Sequence, residues 1–423
     1  MRKINMLALL LAVGTLAGCA QPPQGEPTGE PTAEPTTEPT AAPLESIEPG
    51  VIPSGGEEVD LEQLESIFND ETKEETTFRN GFSIKILNTT FEYSDVSKSN
   101  NDGYKQEYNN IIRISNANAE VNLTGLTTAT EINQFAASAK ANADVYYLSE
   151  AKNDYNPYKQ ELTSSMAAES YVKEGNLYLY LNSDAYKLIS GGESQQEFKN
   201  YAEIPSEVKD FILEGGLTLP LLSDTNIEFI EKTLEELAKN NDDSASVAAQ
   251  IIFSEEVLSV AFEHLFTVNK YADSYLLSLN LNKDNVSTKA EAVLDDLYNS
   301  GALNTLIGPA FGTSSITVEQ YTELKNEFLS EVSDLTKDFS HAKLSVVFDE
   351  VMVKSISVDV DFSYNDHHVD QSFERTSQIS FKLLTNIVFE YSDSVAVSYP
   401  DLSTYQYAGD GNIESLPPVA EDK

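Results

Sequence analysis

The sequence predicts an α+β fold, with helices on one face of a curved antiparallel sheet. Apolar and polar residues alternate near both ends of the folded region, and apolar residues with helical spacing cluster in its middle. An order of strands, then helices, then strands favours this class over parallel α/β folds, in which strands and helices alternate. The folded region, residues 59–410, is long enough for one large domain or two coupled halves.

The clearest strand is SISVDVDFSY, residues 355–364, where Ile356, Val358 and Val360 share one face and aspartates occupy the other. A period of two is typical of a half-buried antiparallel strand. The segment NLYLYLN, residues 176–182, alternates in the same way. The other predicted strands are Phe82–Tyr93, Tyr104–Ile114, Ala119–Leu123, Val145–Glu150, Ser164–Val172, Tyr271–Leu281, Ala342–Phe348 and Phe373–Tyr391.

Helices are predicted where apolar residues recur at steps of three and four. Such a stripe runs from Val318 to Phe339, and Thr317 with Gln320 forms a capping box at its start. A second capping box, Thr225 with Glu228, opens another helix. Two further helices are predicted over Val247–Phe266 and Val286–Tyr298.

Two apolar loops, residues 214–224 and 301–312, interrupt the helical region. We interpret them chiefly as connections that cover the core, and the alternative is that they form the rim of a ligand cavity. A separate feature is an internal similarity between residues 82–95 and 379–393, which share the ending Phe-Glu-Tyr-Ser-Asp. This similarity indicates paired, similarly placed strands, an old duplication, or chance.

The N-terminal segment has the layout of a secretory signal peptide. Arg2 and Lys3 precede the apolar run of residues 6–13, and small residues end it. The run is shorter than the roughly 20 residues that cross a bilayer. The following Leu16-Ala17-Gly18-Cys19 resembles the lipobox of bacterial lipoproteins. That resemblance implies cleavage between Gly18 and Cys19 and attachment of lipid to the Cys19 sulfur.

Residues 19–58 are predicted to form a lipidated tether. Four Glu-Pro-Thr copies with a period of four follow the cysteine, and proline favours extended backbone while the glutamates repel one another. The predicted organisation is therefore a signal peptide over residues 1–18, the tether over 19–58, the folded domain over 59–410 and a flexible tail over 411–423. Cys19 is the one cysteine of the chain, so no internal disulfide is available to the domain.

Composition excludes several classes of partner. The formal net charge is −42, from 27 basic and 69 acidic residues. Nucleic-acid binding requires basic surface for phosphate contacts, so we expect no nucleic-acid partner. Adsorption of the domain itself to anionic lipid is disfavoured for the same reason.

Motifs for catalysis or metal binding are not found in the sequence. None of the four histidines, His264, His341, His367 and His368, has metal-motif spacing to another, and there is no HExxH, CxxC, phosphate loop, Gly-x-Ser-x-Gly or Rossmann fingerprint. His367 and His368 are interpreted as part of a polar hairpin turn, with a transition-metal site completed by Asp366 and Asp370 as the alternative. We expect no enzyme activity, no cofactor and no metal.

Several segments together resemble a known superfamily. They are the lipobox and tether, the Tyr-x-x-x-Gly-x-Leu-Tyr strand of residues 171–188, the strand and helix of residues 275–297 and the closing segment of residues 395–405. This set is similar to the lipoprotein-carrier superfamily and the lipid-binding lipoproteins of actinobacteria. The resemblance implies a half-barrel, in which a strongly curved antiparallel sheet packs over helices with an apolar cavity between, and carriage or sensing of lipid-like molecules.

The leading functional hypothesis is a bacterial lipoprotein on the extracytoplasmic face of the cell membrane. Its partners would be the membrane, through lipidated Cys19, and a lipid or other apolar ligand whose contact residues the sequence does not identify. The alternatives are a non-catalytic cell-envelope interaction or structural module, and a solute-binding protein. The absence of alternating βαβ units weakens the last of these.

Overall fold

The structure is a computed structural model that describes most of residues 47–408. Residues 1–46, 61–79, 102–103, 154–156, 191–195, 214–259, 261, 273, 308–314, 350–351, 371–372 and 409–423 lie outside the description. The strands are β1 Glu57–Glu58, β2 Gly81–Asn101, β3 Tyr104–Thr124, β4 Ala136–Asn153, β5 Tyr158–Lys173, β6 Asn176–Leu181, β7 Phe198–Glu203, β8 Phe266–Tyr271, β9 Ser274–Asn282, β10 His341–Phe348, β11 Val353–Asp370, β12 Phe373–Tyr391 and β13 Gln406–Tyr407. The helices are α1 Ser183–Ser190, α2 Ser206–Leu213, α3 Val286–Asn299, α4 Ala302–Ile307 and α5 Val318–Leu335.

All of these strands belong to one large open sheet. Their order is β1-β8-β9-β10-β11-β12-β2-β3-β4-β5-β6-β7-β13, so β1 and β13 lie at opposite edges. Neighbours are antiparallel except β7 and β13, which are parallel. The predicted large antiparallel sheet is therefore confirmed. The central strands are much longer than predicted, with 21 residues each in β2 and β3.

In the middle of the sheet, β12 pairs with β2, which lies far from it in the sequence. Tyr391 faces Phe82, and Ile379 faces Asp95. These are the two segments with the shared Phe-Glu-Tyr-Ser-Asp ending, so the prediction that they form paired strands is confirmed. The two strands run antiparallel, with one register shift between Leu384 and Asn386.

Irregular pairing occurs at the same level in three adjacent strands. The register shifts in β12 near Leu384, in β2 between Ile86 and Phe91, and in β3 between Ser115 and Asn118. Asn88 and Asn116 take the left-handed backbone conformation there, with φ of 52° and 51°. Asparagine tolerates this conformation better than most residues, which explains its presence. Bulges bend a strand and increase its twist.

The main core lies on one face of the strands β8 to β12 and β2. Its most buried members are Leu277, Val346, Tyr275, Val268 and Phe348, each at most 2% exposed. This burial follows from the alternation that predicted the strands: Ile356 and Val358 point into the same core. We call this side of the sheet the apolar face, and the other side the polar face.

Three helices form a second, smaller core. Leu294 and Leu297 of α3, Leu303 of α4 and Tyr321 of α5 are buried together with Ile316. The capping box predicted for α5 is confirmed: the Gln320 N–H donates to Thr317 Oγ1 at 3.2 Å, and the Thr317 N–H donates to Gln320 Oε1 at 2.9 Å. The predicted helix that begins near Thr225, and residues 247–259 of the next, lie outside the described residues.

Residues 47–59, of which all but Val59 were predicted to belong to the tether, lie against the sheet. Ile47 packs on Tyr271, Leu276 and Val347 on the polar face of β8, β9 and β10. The Gly50 N–H donates to Ser345 Oγ at 2.9 Å. The Tyr271 hydroxyl donates to the carbonyl oxygen of Pro53 at 2.7 Å, and Glu57–Glu58 then pair with β8. This segment covers the polar face of β8, β9 and β10 near one edge of the sheet.

Candidate functional site

The predicted lipidation site, Cys19, and the predicted cleavage site between Gly18 and Cys19 lie outside the described residues. The signal peptide and the Glu-Pro-Thr repeats do so as well. Among the helices that the structure describes, none has both the length and the apolar composition needed to cross a membrane. We therefore describe the surfaces of the sheet and the helices, which are the parts of the chain where a candidate site can be located.

An apolar row crosses the apolar face over five neighbouring strands. Phe381 of β12 faces Tyr93 of β2, which faces Ile112 of β3, then Tyr147 of β4 and Leu162 of β5. Phe381 packs against the main core, whereas Ile112 is 37% and Leu162 is 42% exposed. We call these five residues the apolar row. The row begins at Phe381, which contacts the main core, and ends at Leu162, which is exposed to solvent.

The neighbouring positions on this face repeat the trend. Leu383 and Phe91 are buried, at 3% and 8% exposed, and they form a second, parallel line of facing residues with Ile114 and Val145. Burial raises the pKa of the Tyr93 hydroxyl, and the charge of Asp95 raises it further. Towards the ends of the hairpins, Tyr108 is 41% and Tyr158 is 49% exposed. Aromatic and aliphatic side chains on this face of β3 and β5 are thus exposed to solvent.

Small side chains lie on the same face towards the other end of β3 to β5. Ala119 faces Ala141, which faces Ala168, and Val121 faces Ala139. These residues leave a low surface beside the taller side chains of the apolar row. The apolar face therefore changes from large to small side chains along β3, β4 and β5.

The polar face of the same strands carries charges in alternating pairs. The Arg113 guanidinium lies 3.6 Å from Glu92 and 5.5 Å from the centre of the Tyr146 ring. Lys98 and Lys152 both lie near Glu107, at 3.8 and 3.9 Å. Opposite charges on neighbouring strands stabilise a solvent-facing sheet surface. The two faces therefore differ clearly in chemistry.

A hydrogen-bonded line of polar side chains follows the bulges. Asn116 Nδ2 donates to Asp144 at 2.7 Å, and Ser165 Oγ donates to the other Asp144 oxygen at 2.6 Å. These two hydrogen bonds lower the pKa of the Asp144 carboxyl, with that of Asn116 contributing most. Asn142 Nδ2 donates to the Asn116 carbonyl at 2.7 Å. The line fixes the bulge to β4 and β5, which is a structural role.

Tyrosines from the C-terminal segment cover the polar face near β5, β6 and β7. The Tyr399 hydroxyl donates to the Val172 carbonyl at 2.9 Å, and Tyr405 contacts Tyr178 edge-on with ring centres 5.6 Å apart. Burial raises the pKa of Tyr405 to about 12. Tyr178 also stacks on Tyr201. These rings attach the C-terminal segment to the sheet, and they pack against one another.

The histidines do not assemble into a site. His264 pairs with Asp296 at 2.6 Å, His341 with Asp359 at 2.9 Å and His367 with Glu374 at 3.2 Å. His367 and His368 lie within β11, so the prediction that they form a turn is wrong; the strand pairing persists to Asp370. Within the described ranges, no group of three His, Cys, Asp or Glu side chains is placed to hold a metal ion.

The predicted apolar loops are only partly described. Residues 214–224 and 308–312 lie outside the description. In the described part of the second loop, Leu303 is 4% exposed and packs in the helical core, and Asn304 Oδ1 accepts a hydrogen bond from the Ile316 N–H at 2.6 Å. This part covers a core, in agreement with our main interpretation of the loop.

A shallow cleft of about 580 Å³ lies at the ends of the long hairpins. Lys98, Lys105, Lys152, Glu107 and Glu374 line it, together with amide and hydroxyl side chains. Register places these five charged residues on the polar face. The cleft is therefore not the apolar cavity that the family resemblance implies.

Comparisons with known proteins add little to this geometry. Neither a protein-family model nor a curated protein matches the sequence. Among solved structures, a β-barrel-like protein of domain of unknown function DUF1849 from Brucella abortus aligns with 73% of this chain and 100% of its own, at 7% identity and a TM-score of 0.10. A similarity this low supports no conclusion about fold or function.

Proposed function

We propose that the protein is an extracytoplasmic bacterial lipoprotein that binds a lipid or another elongated apolar ligand on the apolar face of its sheet. The observation that supports ligand binding is the apolar row, which leaves Ile112 and Leu162 exposed beside a continuous core. Soluble proteins rarely leave connected apolar surface open without a partner. Covering two or three such side chains with hydrocarbon favours binding by about 25 cal/mol per Å² of area removed from water.

The finer shape we propose is the half-barrel. The bulges near Asn88, Asn116 and Leu384 lie on adjacent strands, and bulges that coincide in this way curve a sheet. Curvature towards the apolar face would turn the apolar row into the floor of a groove. In this proposal α3 to α5 close the groove from the other side.

The anchor completes the proposal. Lipid on Cys19 would hold the protein at the membrane, and two or more acyl chains hold firmly where one does not. Residues 20–46 separate Cys19 from Ile47, the first described residue against the sheet. If these residues were extended at about 3.1 Å per residue, as proline-rich linkers are, they would span about 85 Å. The domain would thus work within that distance of the membrane.

A fluorescent fatty acid tests the ligand proposal in the full-length protein. Titration with cis-parinaric acid should show saturable binding that is weakened about tenfold by Ile112→Ser, and again by Leu162→Ser, because each change removes about two buried CH₂ equivalents. Leu384→Ser is the matched control, since Leu384 is 38% exposed but lies on the opposite face, beside Asp359. Equal effects at Ile112 and Leu384 would contradict the proposed site.

A non-catalytic envelope module is the second candidate, and the polar cleft favours it. Three lysines converge there on a chain of formal charge −42. Crosslinking in cells that recovers one envelope partner, with no bound lipid, would favour this candidate. The solute-binding hypothesis has no such support, since β7 and β13 are the one parallel pair among the described strands.

A further inference from the structure

The first half of β5 is an open edge of the sheet. β6 pairs with β5 only from Ala168 to Lys173. Next to that stretch, the Ser165 N–H donates to Asp184 Oδ2 at 3.0 Å and the Ser165 carbonyl accepts from Asn182 Nδ2 at 2.7 Å. Residues 158–164 pair with β4 on one side, and no described strand pairs with their other side. Residues 157–163 are all exposed, so this edge is accessible to another strand.

The backbone groups that face this edge can be identified. Both the N–H and the carbonyl of Ser165 point away from β4, towards α1. Because these groups alternate between the two sides of a strand, Thr163, Glu161 and Lys159 also direct their N–H and carbonyl groups outwards. A partner strand would therefore form its hydrogen-bonded pairs at these three positions.

We propose that the partner is a second copy of this chain, paired antiparallel with the first about a two-fold axis at Gln160. In this register Lys159 of each copy faces Glu161 of the other, and Tyr158 faces Leu162. Lys159 and Glu161 are the positions that carry outward backbone groups, so side-chain charge and backbone hydrogen bonding agree. A two-fold axis makes each contact twice, which gives two pairs of opposite charge and two apolar pairs.

The neighbouring registers are poorer. An axis at Lys159 or at Glu161 sets two like charges directly opposite each other, which destabilises a pair of strands. An axis at Leu162 sets Lys159 opposite Ser165, whose backbone already binds Asn182 and Asp184. Within one copy, Lys159 Nζ and Glu161 Oε2 already lie 2.7 Å apart. The Gln160 axis joins two such pairs into one cluster of four alternating charges.

The dimer extends the apolar face across both copies. Side chains that oppose each other in an antiparallel pair lie on the same face, so Tyr158 and Leu162 of both copies continue the apolar side of the sheet. Tyr158 is 49% and Leu162 is 42% exposed in one copy. The contact therefore continues the apolar face from one copy into the other, with Tyr158 and Leu162 of the two copies side by side at the junction.

Charge reversal tests the register. Sedimentation velocity of the full-length protein should show a reversible dimer. Glu161→Lys places a lysine opposite Lys159 in each of the two reciprocal pairs, so it should raise the dimer dissociation constant about tenfold. Adding Lys159→Glu to Glu161→Lys restores opposite charges, so the double variant should return to the wild-type constant. A wild type that stays monomeric, or a double variant no better than the single one, would overturn the proposal.

Disulfide trapping tests the axis itself. Two Gln160→Cys residues would have Cα atoms about 4.5 Å apart in a non-hydrogen-bonded pair, which a disulfide can span. Thr163→Cys lies on the same edge, but its two copies would be about 20 Å apart. Mild oxidation should give a covalent dimer for Gln160→Cys and none for Thr163→Cys, with wild type oxidised in parallel to account for Cys19. Equal trapping at both positions would refute the two-fold axis.

Discussion

Truncating Leu276 tests whether residues 47–59 form part of the folded domain. Leu276 is 0% exposed, yet its neighbour Leu277, also 0% exposed, points to the opposite side of β9 into the main core. Leu276 is buried by Tyr271, Val347 and Ile47 on the polar face. The chain segment that begins at Ile47 therefore makes β9 a strand buried on both faces.

Leu276→Ala should lower the free energy of unfolding by about 2–5 kcal/mol, because a fully buried leucine leaves a cavity in addition to the lost transfer energy. Urea unfolding of the full-length protein, followed by circular dichroism, measures this change. Leu188→Ala is the control, since Leu188 is 59% exposed and should change stability by less than about 1 kcal/mol. Equal effects of the two substitutions would show that the segment does not cover the polar face of β9.

Three further predictions concern the capping box, the bulge line and the anchor. Thr317→Ala should destabilise the protein by about 1 kcal/mol, because the Gln320 N–H loses its acceptor; urea unfolding checks it, and Thr322→Ala, whose hydroxyl bonds to the Val318 carbonyl within the helix, should have the smaller effect. The pKa of Asp144 is lowered in the folded state, so its stabilisation is present above the ordinary carboxyl pKa and is lost as pH falls through the lowered one. Asp144→Asn should therefore reduce the difference between urea midpoints at neutral and acidic pH, and an unchanged difference would refute that linkage. Cys19→Ala should abolish acylation and leave the leader uncleaved at this site; radiolabelled palmitate in the variant would contradict the anchor.

Strands could be predicted wherever alternation was strong. Residues 355–364 lie in β11 because their apolar positions follow the period of two without interruption. Residues 82–93 lie in β2 because Phe82, Ile84 and Ile86 alternate before the bulge near Asn88, and Phe91 and Tyr93 alternate after it. By contrast, β3 was predicted as two strands, since Ser115, Asn116 and Asn118 are typical of a loop. The structure keeps the strand continuous because Asn116 accepts the left-handed conformation and its side chain is fixed by Asp144.

Short elements and the candidate site could not be predicted from the sequence, for different reasons. β7 has six residues without clear alternation, and its Tyr201 packs on Tyr178 of β6 and on Tyr407, which lies far away in the chain. The apolar row joins side chains from five strands, and each contributes a single apolar position that looks ordinary within its own segment. Only the register, for example Ile112 opposite Tyr147, brings them together. The signal available in the sequence was the alternation in each strand, without the order of the strands.

Native mass spectrometry of the full-length protein, extracted gently from its host membrane, tests the central claim most directly. We expect a polypeptide that begins at acylated Cys19 and carries a non-covalent apolar ligand, which is lost on denaturation and is depleted in the variant with Ile112→Ser and Leu162→Ser. A bare N-terminus would contradict the anchor. A ligand-free wild type, or a ligand retained equally by that variant, would contradict binding at the apolar row.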